Sequence, residues 1–99
     1  MTKQNNVRVP QISSLETALK LYYSKSELSN SDITELFGKH STATFARLKS
    51  KVRERMAEEG VISWNAQCVN TEAAYKTWGI DVSDLEHRLK KLHDLKGLT

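Results

Sequence analysis

Glycine divides this chain into lengths that suit helices. The four glycines stand at 38, 60, 79 and 97, and each closes a stretch whose apolar residues recur every three or four positions. Glycine reaches positive φ without steric cost, which favours the position just past a helix end. The one proline, Pro10, lies ahead of Leu15, and nothing beyond it breaks a helix by ring sterics. The pattern predicts an all-α bundle of four to five helices, with a short extended segment around residues 61–69. It fits a single domain over residues 13–99 behind a flexible polar leader, residues 1–12.

Local signals place the helices. The first runs from about Ser14 to Ser26, with Ser13 and Glu16 at capping-box spacing and Leu15, Ala18, Leu19 and Tyr22 turned inward. A short second helix spans Ser31 to Phe37, capped by Asn30 or Ser29, with Ile33, Leu36 and Phe37 buried and Gly38 as its stop. The third starts near Ser41 or Thr42 and ends at Glu59. Its Phe45, Leu48, Val52 and Met56 are spaced three, four and four, which is one helix face. In residues 61–69, Ile62, Trp64, Ala66 and Cys68 alternate with polar residues, so an extended segment or short strand is expected. A fourth helix covers about Thr71 to Trp78 under an Asn70 cap, and a fifth about Ser83 to Leu95 under Asp81 or Ser83.

Charge is unevenly spread. The net charge is only +3, but residues 39–55 carry Lys39, Arg47, Lys49, Lys51, Arg53 and Arg55 against Glu54 alone. Residues 56–86 are acidic and residues 87–99 basic again. A concentrated basic block points to a polyanion-facing patch, or to a solvated helix face with lysine stems.

The block lies in SNSDITELFGKHSTATFARLKSKVRERMAEEG, which has the layout of a short helix, a glycine turn and a capped second helix. Over residues 29–60 the chain resembles helix-turn-helix DNA-binding regulators. Through VNTEAAYKTWGIDVSDLEHRLKKL it also resembles small DNA-binding proteins of phages and mobile elements of Gram-positive bacteria. The resemblance puts Thr34 at the small-residue place between the helices and Ile33 and Phe37 at apolar places. It makes Gly38 the turn glycine and Ser41 the cap of the recognition helix, which Phe45 and Leu48 anchor. Two departures stand out. Lys39 occupies a place that is usually apolar, and Phe45 falls one position late counted from Gly38. Counted from Ser41, Phe45 falls on time, so a turn longer by one residue resolves the offset.

The resemblance implies double-stranded DNA as partner and a role as a small transcriptional or recombination-directing regulator. With Phe45 at the core, a 100° wheel turns Ala43, Arg47, Ser50 and Glu54 outward, flanked by Thr44, Ala46 and Lys51. Arg47 is the expected base reader, because its planar fork matches a guanine edge. Ala43 and Thr44 can meet a thymine methyl or a phosphate. Lys39, His40, Ser41 and Thr42, at the turn and helix start, suit phosphate contacts. Lys49, Lys51, Arg53 and Arg55 are expected to follow the backbone, although packing stems fit Lys49 and Arg53 equally well. Glu54 repels phosphate and confines the interface to the first turns. Trp64, Tyr75 and Trp78 are expected to fill the core rather than to stack on bases.

Val82, Leu85, Leu89 and Leu92 form a seam that either packs on its own domain or contributes to a homodimer through the C-terminal helix. Neither a catalytic nor a cofactor reading finds support. Cys68 lacks a nucleophile signature, and His87 and His93 are six apart on different helix faces, so no metal pair is expected. No apolar run is long enough for a membrane span, and one cysteine allows no internal disulfide, consistent with a reduced, cytoplasmic protein. The rival reading is a phage assembly or protein-interaction module, similar to a packaging adaptor, that oligomerises through its helices.

Overall fold

A computed structural model describes residues 9–97. Within them the chain is all-α: five helices and one two-stranded sheet, in the order α1 (Leu15–Ser24), β1 (Glu27–Leu28), α2 (Asn30–Phe37), α3 (Thr42–Glu59), β2 (Val69–Asn70), α4 (Thr71–Trp78) and α5 (Val82–Gly97). The strands pair antiparallel, Glu27 opposite Asn70 and Leu28 opposite Val69. They tie the start of the helix pair to the start of α4.

Side chains at the helix starts set the boundaries. Ser14, not Ser13, caps α1 by accepting from the Thr17 N–H, while the Ser13 hydroxyl donates to the Glu35 carbonyl across the fold. The helix stops at Ser24, two residues earlier than expected, because Lys25 turns extended to lead into β1. Ser29 and Asp32 form a reciprocal capping box on α2. Ser41 caps α3 and Asn70 caps α4. Asp81 accepts from the Asp84 N–H at the start of α5, which runs on through Gly97 rather than stopping before it.

The core gathers Leu19 and Leu21 of α1, Ile33, Leu36 and Phe37 of α2, Leu48, Val52 and Met56 of α3, Tyr75 and Trp78 of α4, and Leu85 of α5. The closest helix packings are α1 on α5 and α3 on α4, with α2 against α1. The large polar aromatics of this core are satisfied. The Tyr75 hydroxyl donates to the Ala18 carbonyl at 2.5 Å, and the Trp78 indole N–H donates to the Leu48 carbonyl at 3.2 Å. Of the segment read as a polar leader, residues 1–8 lie outside the described residues, and Val9 and Ile12 are half-buried against the core.

Two expectations fail in residues 61–69. Strand pairing is confined to Val69–Asn70, and the alternation does not bury one side: Ile62 is 77% and Trp64 89% exposed. Local hydrogen bonds explain it. The Ser63 hydroxyl donates to the Asn65 carbonyl at 2.7 Å, the Cys68 N–H donates to the same carbonyl, and the Gln67 N–H donates to Asn65 Oδ1. Those bonds curl the segment on itself and compete with a ladder. Tyr75 and Trp78 fill the core as expected, whereas Trp64 does not.

Candidate nucleic-acid interface

The connection between α2 and α3 is four residues, Gly38 to Ser41. Gly38 holds φ 84° and ψ −177°, a region essentially closed to side chains, and its N–H donates to the Thr34 carbonyl at 2.7 Å. The turn therefore stops α2 abruptly and re-aims the chain. His40 closes it, with Nε2 3.2 Å from the Phe37 carbonyl and its ring edge-on to Phe45. Lys39 projects into solvent.

At the start of α3 the Ser41 hydroxyl accepts from the Thr44 N–H at 3.1 Å and lies 3.0 Å from the Thr44 hydroxyl. Both hydroxyls are thus engaged in the cap, and the Thr44 side chain is half-buried. The first-turn N–H groups of Thr42 and Ala43 have no acceptor within the helix by geometry, and both residues are exposed. Farther along, Arg47 and Ser50 are exposed and Lys51 is half-buried, its ammonium 3.6 Å from the Glu54 carboxylate. Phe45 is half-buried, and Leu48, Val52 and Met56 are buried. The face carrying Ala43, Arg47 and Ser50 is therefore open to solvent, opposite the side that builds the core.

The basic block divides in two. Arg47 and Lys39 have no hydrogen bond or ion pair among the described residues. Three others bind inside the molecule. Lys49 is buried and donates to Asn30 Oδ1 at 3.0 Å and to the Gln67 carbonyl at 2.7 Å. Arg53 donates to the Ala66 carbonyl at 2.9 Å. Arg55 donates to the Thr77 hydroxyl at 2.9 Å and pairs with Glu59 at 3.3 Å. The expectation that these follow a DNA backbone is corrected for Lys49, Arg53 and Arg55, whose heads bind protein oxygens. Burial pushes the Lys49 pKa below the ordinary lysine value, and the charge of Arg53 adds to the effect. A lysine about 40° from Phe45 on the wheel already allowed an inward head, and Asn30 and the uncharged loop beyond α3 supply its acceptors.

The chain matches no family model, no curated protein and no solved structure. What the surface can do rests on its chemistry. It presents an unpaired guanidinium, small side chains that permit close approach, and a capped helix start with cationic Lys39 at its rim. Among the described residues no cluster of histidine, cysteine and carboxylate groups is arranged to hold a metal ion, and no helix is long and apolar enough to cross a membrane. Cys68 is half-buried.

Proposed function

We propose that the chain binds double-stranded DNA through α3, as a small transcriptional or recombination-directing regulator of the helix-turn-helix kind. The observation that carries this reading is the unpaired, outward Arg47 between Ala43 and Ser50, on a helix whose other side is buried. The N-terminal half of such a helix fits the major groove, where small neighbours let the arginine fork reach base edges. Lys39, His40, Ser41 and Thr42 lie at the phosphate level, with Thr44 buttressing the cap and Lys51 beside the backbone. Glu54, Glu58 and Glu59 keep the duplex off the last turns.

Electrophoretic shift on mixed-sequence duplex at low and moderate salt tests the reading. Salt-sensitive binding is expected. Arg47→Ala should relax sequence preference, with a loss of about 1–3 kcal/mol on the preferred site. Lys51→Ala should weaken binding to all sequences and lower the log–log salt slope by about 0.9. No shift with either protein at low salt would reject DNA as the ligand.

One observation favours a second reading. On α5 the seam passes from buried Leu85 through half-buried Leu89 to Leu92 and Leu95, 39% and 63% exposed. An apolar stripe that outruns its own domain fits a second copy of the chain, either as a dimer that supports DNA binding or as an assembly module that does not bind DNA. Sedimentation with and without duplex separates these.

A further inference from the structure

The loop between α3 and β2 is built at some cost and yet turns its largest side chain to water. Glu27 of β1 reaches it, and one carboxylate oxygen accepts from the Trp64 N–H at 2.7 Å and lies 3.1 Å from the Ser63 hydroxyl oxygen. From the other side α3 holds it through Arg53 at the Ala66 carbonyl and Lys49 at the Gln67 carbonyl. Together with the turn of Ser63 and Asn65, these bonds fix a loop that buries neither Trp64 nor Ile62. Folding alone does not account for an exposed indole on an ordered support, because a polar residue at position 64 would cost less in water.

The occupant follows from three features. First, the loop folds back along α3 to the level of Arg53 and Lys49, away from the acidic Glu58–Glu59 end. A shallow depression of about 180 Å³, lined by Thr42, Ala46, Lys49 and Arg53 among others, continues that flank to the helix start. Second, no charged side chain stands between Glu59 and Glu72, and the Glu27 carboxylate that holds the loop is half-buried at its base rather than at the tip. The tip itself therefore brings no carboxylate to a phosphate. Third, two exposed side chains supply at most about 400–500 Å², short of the roughly 800 Å² per partner of a stable protein interface. The pair serves better as a wedge at the edge of a larger surface than as an interface of its own.

Building on the DNA reading of α3, we infer that Trp64, supported by Ile62, is a second DNA contact that packs into the minor groove beside the major groove occupied by α3. Apolar wedges in the minor groove gain their binding from unstacked base edges and sugar faces, and they are tolerant of sequence. Arg47 then supplies discrimination and Trp64 supplies affinity.

The experiment uses the full chain and a mixed-sequence duplex at low salt. Trp78 is buried and Trp64 exposed, so acrylamide quenching of the wild type reports mainly Trp64, and Trp64→Phe identifies what remains. Adding duplex is expected to shield Trp64 from acrylamide. Trp64→Ala is expected to keep the denaturation midpoint and lose about tenfold in affinity, with its salt slope unchanged. Wild-type binding with Trp64 still fully quenchable, and equal affinity for Trp64→Ala, overturns this inference and leaves the α3 reading standing. A Trp64→Ala change in sedimentation at constant DNA affinity also overturns it, by assigning the loop to a contact between copies. Absence of duplex binding in the wild type rejects the α3 reading itself, and the inference with it.

Discussion

Tyr75 shows how one buried hydroxyl links folding to pH. Burial, with Tyr22 nearby, pushes its pKa up to about 12 from 10.0. The folded state thus retains a proton that the unfolded chain loses first. The stabilisation is fully present below pH 10 and is lost as pH rises through the folded value near 12; across that window it amounts to about 2–3 kcal/mol. Tyr75→Phe removes the bond to the Ala18 carbonyl and is expected to cost about 1–2 kcal/mol at neutral pH. Denaturant titrations at pH 7 and near pH 11 should find the gap between the two proteins narrowing as the pH rises; a constant gap would contradict the assignment. Gly38 carries a second residue-scale expectation. A Cβ there meets no atom within 4 Å, so Gly38→Ala costs backbone strain alone, about 1–3 kcal/mol by denaturation midpoint. The role of Gly38 was legible in the sequence because chain stops and positive φ share one residue type. The fate of Lys49 was not, because spacing puts its stem at the edge of the core without revealing which acceptors await the ammonium.

At the level of elements, what was readable divides by where the information lies. The starts of α2, α3 and α4 follow from Ser29, Ser41 and Asn70, whose side chains act within three residues, and the core faces follow from periodicity within each helix. The pairing of β1 with β2 joins residues more than forty apart in sequence and leaves two-residue strands too short to show alternation. The loop ahead of β2 misled in the opposite sense: its alternation is real, but Ser63 and Asn65 satisfy the backbone locally. Lys49→Met tests the element-level role of that lysine. It leaves the Gln67 carbonyl and Asn30 Oδ1 without their donor and is expected to lower stability by about 1–3 kcal/mol. The slope of DNA binding against salt should stay unchanged, since the ammonium faces protein. A slope reduced by about 0.9 would return Lys49 to the phosphate contacts.

For the whole molecule, the division of the basic block sets how much DNA one copy can hold. Lys39, Arg47 and Lys51 are the cations of the block that flank the open face without a bond to a loop or to α4, and Lys51 is shared with Glu54. Three cations give a salt slope of at most about 3, which is a weak hold at physiological ionic strength. Two copies on adjacent half-sites double the slope to about 5, and the exposed end of the α5 seam offers a surface on which they can meet. The expectation is therefore a wild-type slope above about 4 on duplex long enough for two copies. Leu92→Glu with Leu95→Glu should bring it to about 3 or less while the sedimenting mass on DNA falls to one copy. Both side chains are exposed, so the charged variants should fold like the wild type. A wild-type complex with one copy bound and a slope already below about 3 would leave α5 with no part in binding and make each site a single, weak contact.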